Sequence, residues 1–366
     1  MRLLVFADLH LDALFSWARA DVARERRQNL RDTLDNIIRL AGEVKADALL
    51  CGGDLYEHSR FTLDTQALLQ KRFNDCPIPV FLAPGNHDWY GPDSIYLRAG
   101  WAPHVTVFTE PRLRRHQLAD GLTLWGAAHC APANTPGFFD TGFRADGGGV
   151  HLALFHGAEM SYLVDESSDK APHAPFRLRQ IADAGLHHAF VGHFHRRRDV
   201  PGLSYPGNPD PISFGDLDRQ GAVVADVDGA GRVTIERRNV AVSTIFDLTL
   251  DVTDCVTFQE VRDRMAALTA GLQGYARVTV TGEVSPGLDL HLDELAAVAG
   301  GLRQAVVQAG TLRAGYDLEV LRTDPTVRGE FVRMVVADPA LSDDERRRIL
   351  VTGLRALDGR TDLEVV

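Results

Sequence analysis

Three polar side chains follow one another in the stretch APGNHDWYG, residues 83–91, where Asn86, His87 and Asp88 come soon after the apolar run VFLA. An amide, an imidazole and a carboxylate are costly to hold against a packed sheet unless something binds them. By itself the stretch is also compatible with an ordinary Gly-Asn turn. Whether it belongs to a functional site therefore depends on the residues at the ends of the other apolar runs.

Residues of the types that bind metals follow four more apolar runs. They are Asp8 and His10 in ADLHLD, Asp54 in GGDLYEH, His156 in LFHG, and His193 and His195 in GHFH. Taken singly, each motif could be a chance pair or a satisfied core histidine. Because ligands of open α/β sheets bind beyond the carboxyl ends of the strands, side chains in these positions converge in space. The five motifs together predict a metal site with room for two ions.

The composition of this set indicates the chemistry. It contains no cysteine, which argues against a closed structural zinc site. Imidazoles with oxygen ligands suit Mn²⁺, Fe²⁺ or Zn²⁺. Two ions about 3.5–4 Å apart can hold a hydroxide as nucleophile on one side of a phosphorus and stabilise the leaving oxygen on the other. The predicted reaction is hydrolysis of a phosphoester.

The elements that position these residues are predicted to be α/β. Residues 1–240 alternate short apolar runs with polar loops, and LRDTLDNIIRLAGEV has apolar residues at helical spacing. Two βαβ units at the start predict a partly parallel sheet, and the later runs, including GAVVADV, predict a second, more antiparallel sheet stacked on it. From residue 244 the pattern changes to that of a small α+β domain. We therefore expect two domains, residues 1–243 and 244–366.

The bulk properties are those of a globular protein with 366 residues and a net charge of −11. This charge argues against nucleic-acid binding through bulk electrostatics, although metal ions and local arginine clusters can supply positive charge. Asp8 interrupts the first apolar run before it could serve as a signal peptide or span a bilayer. The four cysteines show no CxxC pair, so we expect them to be reduced. The expected location is the cytoplasm, with nucleoid association when the protein is on DNA and no membrane partner.

The motifs D-x-H, GD, GNHD, a later lone His and GHxH resemble the signature of the calcineurin-like metallophosphoesterases. The flanks ADLHLDALF, GGDLYEH, PGNHDWYGPDS and YPGNPDPISFGD look like the SbcD-type DNA repair exonucleases, in particular their YhaO-like branch. The resemblance covers residues 1–240. It implies a two-sheet αββα sandwich, with residues 244–366 as a capping or partner-docking domain.

The resemblance also implies a role for each site residue. One ion would be held by Asp8, His10, Asp54 and His195, and the other by Asp54, Asn86, His156 and His193, with Asp54 as the bridge. His87 matches the family's catalytic histidine, which assists the leaving oxygen. Asp88 would orient His87 or cap the loop.

The chain departs from the family at one position. Nuclease members often have a second working histidine directly after the segment that corresponds to GDLY, whereas here Glu57 takes that place and His58 follows it. This leaves the preference between exonuclease and endonuclease action open. Residues near the motifs that could contact a substrate, each of which could equally be solvated or packed, are His58, Trp89, Tyr90, Arg196 and Arg197.

The function predicted from these observations is a manganese-dependent DNA exonuclease of repair or recombination, with iron, zinc or magnesium as alternative metals. A small-substrate phosphatase or cyclic-nucleotide phosphodiesterase is the rival within the same class. A weakly catalytic, partner-binding subunit is the alternative of another class. The resemblance implies an SMC-like ATPase of the SbcC type as partner, supplied by another chain because no GxxxxGK[ST] motif occurs here. It leaves a homodimer open.

Overall fold

The computed structural model describes residues 1–165, 172–216 and 221–360. The chain folds as two compact units, Met1–Thr244 and Ile245–Val366. Among the described residues, no helix combines the length and the apolar character that crossing a membrane requires.

Within the described residues, the first unit contains twelve strands and five helices. In chain order they are β1 (Arg2–Phe6), α1 (Ala20–Glu43), β2 (Ala48–Cys51), α2 (Leu63–Asn74), β3 (Val80–Leu82), α3 (Ile95–Arg98), β4 (Val105–Val107), β5 (Arg114–Ala119), β6 (Leu122–Gly126), β7 (Val150–His156), α4 (Tyr162–Asp165), α5 (Leu178–Asp183), β8 (His188–Gly192), β9 (Arg198–Val200), β10 (Leu203–Tyr205), β11 (Ala222–Val227) and β12 (Val233–Arg238).

The strands form two six-stranded sheets, with the orders β12-β11-β1-β2-β3-β4 and β5-β6-β7-β8-β10-β9. In the first sheet β1 to β4 are parallel, while β11 is antiparallel to both β1 and β12. In the second sheet β6, β7, β8 and β10 are parallel, while β5 and β9 are antiparallel edge strands. Each sheet therefore has a parallel centre.

The second sheet is no more antiparallel than the first, so this part of the sequence-based expectation is wrong. The strand GAVVADV, β11, is also predicted from sequence to lie in the second sheet but pairs with β1 in the first. The first of these errors has its cause in the connections between the strands. Few helical patterns separate the later apolar runs, but loops and the short helices α4 and α5 are enough to return the chain for parallel pairing.

Alternating residues of β1 place the core on both faces of the first sheet. Leu3 and Val5 pack between the two sheets, against residues such as Leu152 and Phe190 of the second sheet. Leu4 and Phe6 point the other way, into a cluster with the buried side of α1. Since successive side chains of a strand face opposite sides, this alternation is what a sheet covered on both faces requires. The predicted αββα sandwich is confirmed.

The second unit has its own sheet and core. Its elements are β13 (Ile245–Asp251), α6 (Phe258–Thr269), β14 (Tyr275–Val284), α7 (Leu292–Val298), β15 (Gln304–Ala314), α8 (Leu318–Thr323), α9 (Val327–Ala337) and α10 (Asp343–Leu357). The three strands are parallel, with α6 and α7 as crossovers. Helices and strands thus alternate in βαβαβ order before the last three helices, as the sequence pattern indicates. The all-parallel sheet makes this unit α/β rather than the α+β domain expected from the sequence.

Candidate metal centre

Five strands deliver the predicted ligands at their carboxyl ends. Asp8 and His10 follow β1, Asp54 follows β2, and Asn86 follows β3 in the first sheet. In the second sheet β7 ends at His156, and β8 is followed directly by the GHFH histidines. Parallel strands end at the same edge of a sheet, so the stacking of two parallel centres brings all these residues to one place.

Four of the predicted ligands have backbone conformations that residues other than glycine rarely adopt. The φ angles are 56° at Asp8, 51° at His10, 51° at Asp54 and 118° at His193. Such positions cost on the order of 1–3 kcal/mol each and concentrate at functional sites. Hydrogen bonds hold them here: the His193 N–H donates to both carboxylate oxygens of Asp8, at 3.0 and 3.2 Å.

The two sheets approach each other unusually closely beneath the site. A β-carbon at Gly192 would lie 2.3 Å from the carbonyl oxygen of Gly52 and 2.8 Å from Nδ1 of His156. Only glycine therefore fits at position 192 without moving backbone. This close approach is what allows ligands from different sheets to share one site.

The Asp54 carboxylate lies at the centre of the predicted ligands. Its Oδ1 accepts a hydrogen bond of 2.8 Å from the His87 N–H. Its Oδ2 lies 3.3 Å from Nε2 of His156 and 3.7 Å from Nε2 of His10. One oxygen thus faces imidazoles that come from two different strands, which is the arrangement expected of a bridging ligand.

The ligand atoms of the site fit a divalent cation. Nε2 of His10, Nε2 of His156 and Oδ1 of Asn86 are buried and have no hydrogen-bond partner among the described residues. Buried polar atoms are normally paired, because an unpaired one costs about 1–3 kcal/mol. Buried nitrogen and oxygen atoms of this kind would be satisfied by a borderline metal such as Mn²⁺.

Three groups of donors in the described residues lie close enough to hold an ion. Within each group the ligand atoms are within 4.8 Å of one another, and the groups are Asp8, His10 and His195; His10, Asp54 and His87; and Asp8, Asp54 and His156. The first group comprises three of the four residues predicted for one ion. His193 belongs to none of the three, although its ring centroid lies 5.3 Å from that of His156.

Charge and burial act together on the acid and base groups of the site. Burial lowers the pKa of His156, but the attraction of Asp54 outweighs it and raises that pKa to about 9. Burial disfavours the ionised form of Asp54, yet the imidazoles of His156 and His10 hold its pKa well below the usual range. The carboxylates therefore attract positive charge strongly. A metal ion would compete with protons here, since a metal binds the neutral imidazole.

Hydrogen bonds fix which nitrogen of each histidine faces the site. Nδ1 of His156 contacts the Gly52 carbonyl oxygen at 3.0 Å, and Nδ1 of His10 contacts Glu57 Oε1 at 2.7 Å. Nε2 is thereby turned inward in both. His195 is oriented in a similar way, with Nδ1 3.6 Å from Asp216 Oδ1. Carboxylate and carbonyl partners of this kind set the orientation of metal-binding histidines.

Glu57 is a functional candidate that the site prediction omitted. Its second oxygen, Oε2, lies 3.0 Å from Nδ1 of His87, so one carboxylate holds both His10 and His87. Burial would raise the pKa of Glu57, but hydrogen bonds from the two histidines lower it to about 2. The signal was visible in GDLYEH as a departure from the family motif. The role of Glu57 became clear only from the positions of the His10 and His87 rings.

Asp88 acts inside the loop rather than on the His87 ring. Its buried carboxylate accepts hydrogen bonds from the N–H groups of Asp54, Leu55 and Gly85 and from the Tyr96 hydroxyl. Of the two roles predicted for Asp88, these contacts fit the loop cap. The other role, orientation of His87, falls to Glu57 in the described residues.

The predicted substrate contacts occupy different environments. The rings of His58 and Trp89 stack on each other, with centroids 3.9 Å apart and an angle of 27°. Tyr90 packs against the core on the outer face of the first sheet. Arg196 and Arg197 are exposed directly after His195. Tyr90 thus takes the packing role that the sequence left open, whereas the arginines remain available to a ligand.

We expect Glu57→Gln to weaken metal binding and slow the reaction together. A carboxylate can accept from two imidazole N–H groups, but an amide has only one accepting oxygen, so one histidine must change tautomer or turn away. Loss of such an outer partner typically costs about 10–100-fold in metal affinity or activity. Mn²⁺ titration of hydrolysis, with Glu43→Gln on the exposed end of α1 as control, measures this. Equal titration curves for Glu57→Gln and wild type would contradict the role.

Residues 1–197 match the family model described as calcineurin-like phosphoesterase. The chain belongs to this family. A calcineurin-like phosphoesterase is a hydrolase that uses divalent metal ions, which agrees with the candidate metal-binding groups around Asp54. The predicted superfamily is thereby confirmed.

Two curated relatives match at low identity. The uncharacterised metallophosphoesterase YhaO of Bacillus subtilis is 24% identical over 220 residues, which are 55% of this chain and 51% of that protein. The DNA double-strand break repair protein Mre11 of Methanopyrus kandleri is 26% identical over 270 residues, 64% of this chain and 56% of that protein. The matched regions span about half the length of these relatives. The crystal structure of TT1561 of Thermus thermophilus covers 65% of this chain and 98% of its own, with 14% identity and a TM-score of 0.40.

Proposed function

We propose that this calcineurin-like phosphoesterase cleaves phosphodiester bonds in DNA as an exonuclease of repair or recombination. The observation that carries the proposal is the convergence of three overlapping donor groups, of which two include Asp54 and one also includes His87. A site of this kind suits a reaction in which negative charge develops at phosphorus.

The proposed reaction gives metal binding and proton donation to different residues. Asp8, His10, Asp54 and His195 would hold one ion, and Asp54, Asn86, His156 and His193 the other. When bound, two divalent ions supply an activated water and stabilise the charge of the leaving oxygen. The His87 side chain is 46% exposed and its Nδ1 is held by Glu57, so its Nε2 edge can reach a substrate and give a proton to the leaving group.

A curated relative and the flanks of the motifs support DNA as the substrate. Mre11 is named for DNA double-strand break repair, and the flanks of the motifs resemble the SbcD-type exonucleases and their YhaO-like branch. Glu57 stands where a second working histidine is common in those nucleases, so endonuclease action is compatible with the same site. An SMC-like ATPase partner follows from the same resemblance. We propose that residues 244–366 cap the catalytic unit or dock that partner.

One observation favours a rival within the family. The net charge of −11 attracts a polyanion poorly, which suits a small phosphate ester better than a long duplex. The rival function is therefore a phosphatase or cyclic-nucleotide phosphodiesterase acting on a small substrate.

Activity with Mn²⁺ on three substrates separates these functions: a linear DNA duplex, a chromogenic phosphodiester and a chromogenic phosphomonoester. We expect hydrolysis of the duplex and of the small diester, and loss of both after chelation of the metal. Cleavage of the small esters without the duplex would favour the rival and contradict the DNA assignment. Failure on all three would favour a partner-binding subunit.

A further inference from the structure

The first unit contains a cavity that belongs to none of the predicted motifs. It lies between residues 139–144 and 175–183 and has a volume of about 600 Å³. Pockets that bind small molecules or cofactors commonly measure about 300–1,000 Å³. The cavity is thus large enough for one nucleotide unit.

Three arginines, Arg144, Arg177 and Arg179, line this cavity. All three are exposed, and none forms an ion pair within the described part of the chain. Many other arginines of this acidic protein are paired, as Arg26 is with Asp210. Arg144 donates only to a backbone carbonyl, that of Phe143, at 2.9 Å. Guanidinium groups that share a cavity and have no carboxylate partner are suited to an anion, because their planar forks match phosphate oxygens.

Two carboxylates, Asp140 and Asp183, also line the cavity, so its formal charge is +1. The Asp140 carboxylate already has a hydrogen-bond partner within its own loop, because its Oδ2 accepts a hydrogen bond of 3.0 Å from the Gly137 N–H. The cavity therefore remains a local positive site on a chain whose net charge is −11.

The floor of the cavity is apolar. Phe139 and Phe176 are almost fully buried there, and Met160 and Pro175 are half-buried beside them. A free phosphate ion has no apolar surface that could pack against these side chains. A sugar or base carries apolar surface that could cover it, which favours a phosphate attached to a nucleoside.

The cavity is close to the metal centre along the chain. Met160 lies four residues after His156, so their Cα atoms can be at most about 14 Å apart. Backbone hydrogen bonds of 2.9 Å, from Met160 to Phe176 and from Phe176 to Ala158, fix the cavity floor to this segment. Since the bases of one strand rise about 3.4 Å per step along the helix axis, this limit corresponds to at most about four nucleotides.

We propose that this arginine cavity binds a backbone phosphate of the same nucleic-acid strand whose scissile bond lies at the metal centre. The inference rests on the proposed function and adds a second point of attachment to it. Arg177 and Arg179 contact the phosphate, and Arg144 closes the cavity from the facing loop. Such a contact positions a strand without reading its sequence.

Binding of a fluorescent duplex oligonucleotide to the full-length chain tests the proposal. The duplex has a phosphorothioate backbone to slow cleavage, and its affinity is measured by anisotropy at several salt concentrations. Each lost phosphate contact lowers the slope of log affinity against log salt by about 0.9. We expect Arg177→Ala/Arg179→Ala to lower it by about 1 to 2. Arg177→Lys/Arg179→Lys should restore the slope, because lysine keeps the charge.

The control pair is Arg262→Ala/Arg313→Ala, which removes two exposed charges from the second unit. An unchanged slope in Arg177→Ala/Arg179→Ala, an equal change in the control pair, or no restoration by lysine would each overturn the proposal. Tighter binding of a free mononucleotide than of the duplex would do the same.

The outcome also separates this inference from the proposed function. If wild type cleaves DNA but its salt slope does not depend on these arginines, only the inference fails. If wild type binds the duplex through these arginines but never cleaves DNA, the phosphate contact stands, and the proposed function fails together with the placement of a scissile bond at the metal centre. Thermal melting of each variant shows whether it is folded.

Discussion

His87→Ala is expected to keep both metal ions and to lose about 10²- to 10⁴-fold in rate, the usual contribution of a positioned acid or base. The backbone N–H of residue 87, which donates to Asp54 Oδ1, survives the substitution. The substitution removes the imidazole, whose Nδ1 contacts Glu57. Burial lowers the pKa of this imidazole, but the hydrogen bond to Glu57 and the charges of Asp54 and Glu57 outweigh burial and raise the pKa to about 9.

Asn86→Ala should fail in a different way, although the residue is the neighbour of His87. It removes Oδ1, a buried oxygen without a hydrogen-bond partner among the described residues, so one ion should bind more weakly. Raising Mn²⁺ should then restore part of the activity. Asn86→Asp, which keeps an oxygen at that position, should retain more metal than Asn86→Ala.

A Mn²⁺ titration of the hydrolysis rate on one substrate compares the two variants. His291→Ala, an exposed histidine of the second unit, is the control and should match wild type. His87 also lies in a donor group with His10 and Asp54, within 4.8 Å. Full recovery of the His87→Ala rate at high Mn²⁺ would therefore mean that His87 is itself a metal ligand. The role of leaving-group acid proposed for His87 would then be wrong.

Asp54→Ala is expected to prevent the two ions from binding together, so that each chain holds fewer than two. Its Oδ2 lies within 3.3 Å of His156 Nε2 and 3.7 Å of His10 Nε2, so its loss removes the carboxylate that the two proposed ion positions share. Asp54→Asn keeps an acceptor for the His87 N–H while removing the charge. Asp54→Asn should also bind fewer than two ions. Because this variant keeps the hydrogen bond to the loop, its loss of metal would come from the missing charge and not from a loosened loop.

Elemental analysis after dialysis counts the ions in each variant, with Asp120→Ala, an exposed turn residue, as control. Melting curves establish that the variants are folded. Two tightly held ions per chain in Asp54→Ala would refute the bridging assignment.

The positions of the ligands could be predicted because they are local features of the sequence. Each of Asp8, Asp54 and Asn86 comes soon after a short apolar run, and the carboxyl ends of parallel strands lie at one edge of a sheet. The positive φ angles at four ligands agree with this, since strained backbone concentrates where a site is built.

The contacts between loops could not be read in the same way. The bridge that Glu57 makes between His10 and His87 depends on the orientation of two rings from two loops, which no spacing encodes. Asp216, which orients His195, lies in the stretch YPGNPDPISFGD, and no spacing in that stretch indicates a partner for His195. The antiparallel pairing of β11 with β1 joins residues more than 200 positions apart, beyond the reach of a local pattern.

We expect two metal ions to share Asp54 at the junction of the two sheets. An anomalous difference map from crystals grown with Mn²⁺ and recorded at the manganese edge tests it most directly. We expect two peaks, one on each side of Asp54 Oδ2, the first near Asp8, His10 and His195 and the second near Asn86 and His156. A single peak, or two peaks that do not both contact Asp54, would contradict it.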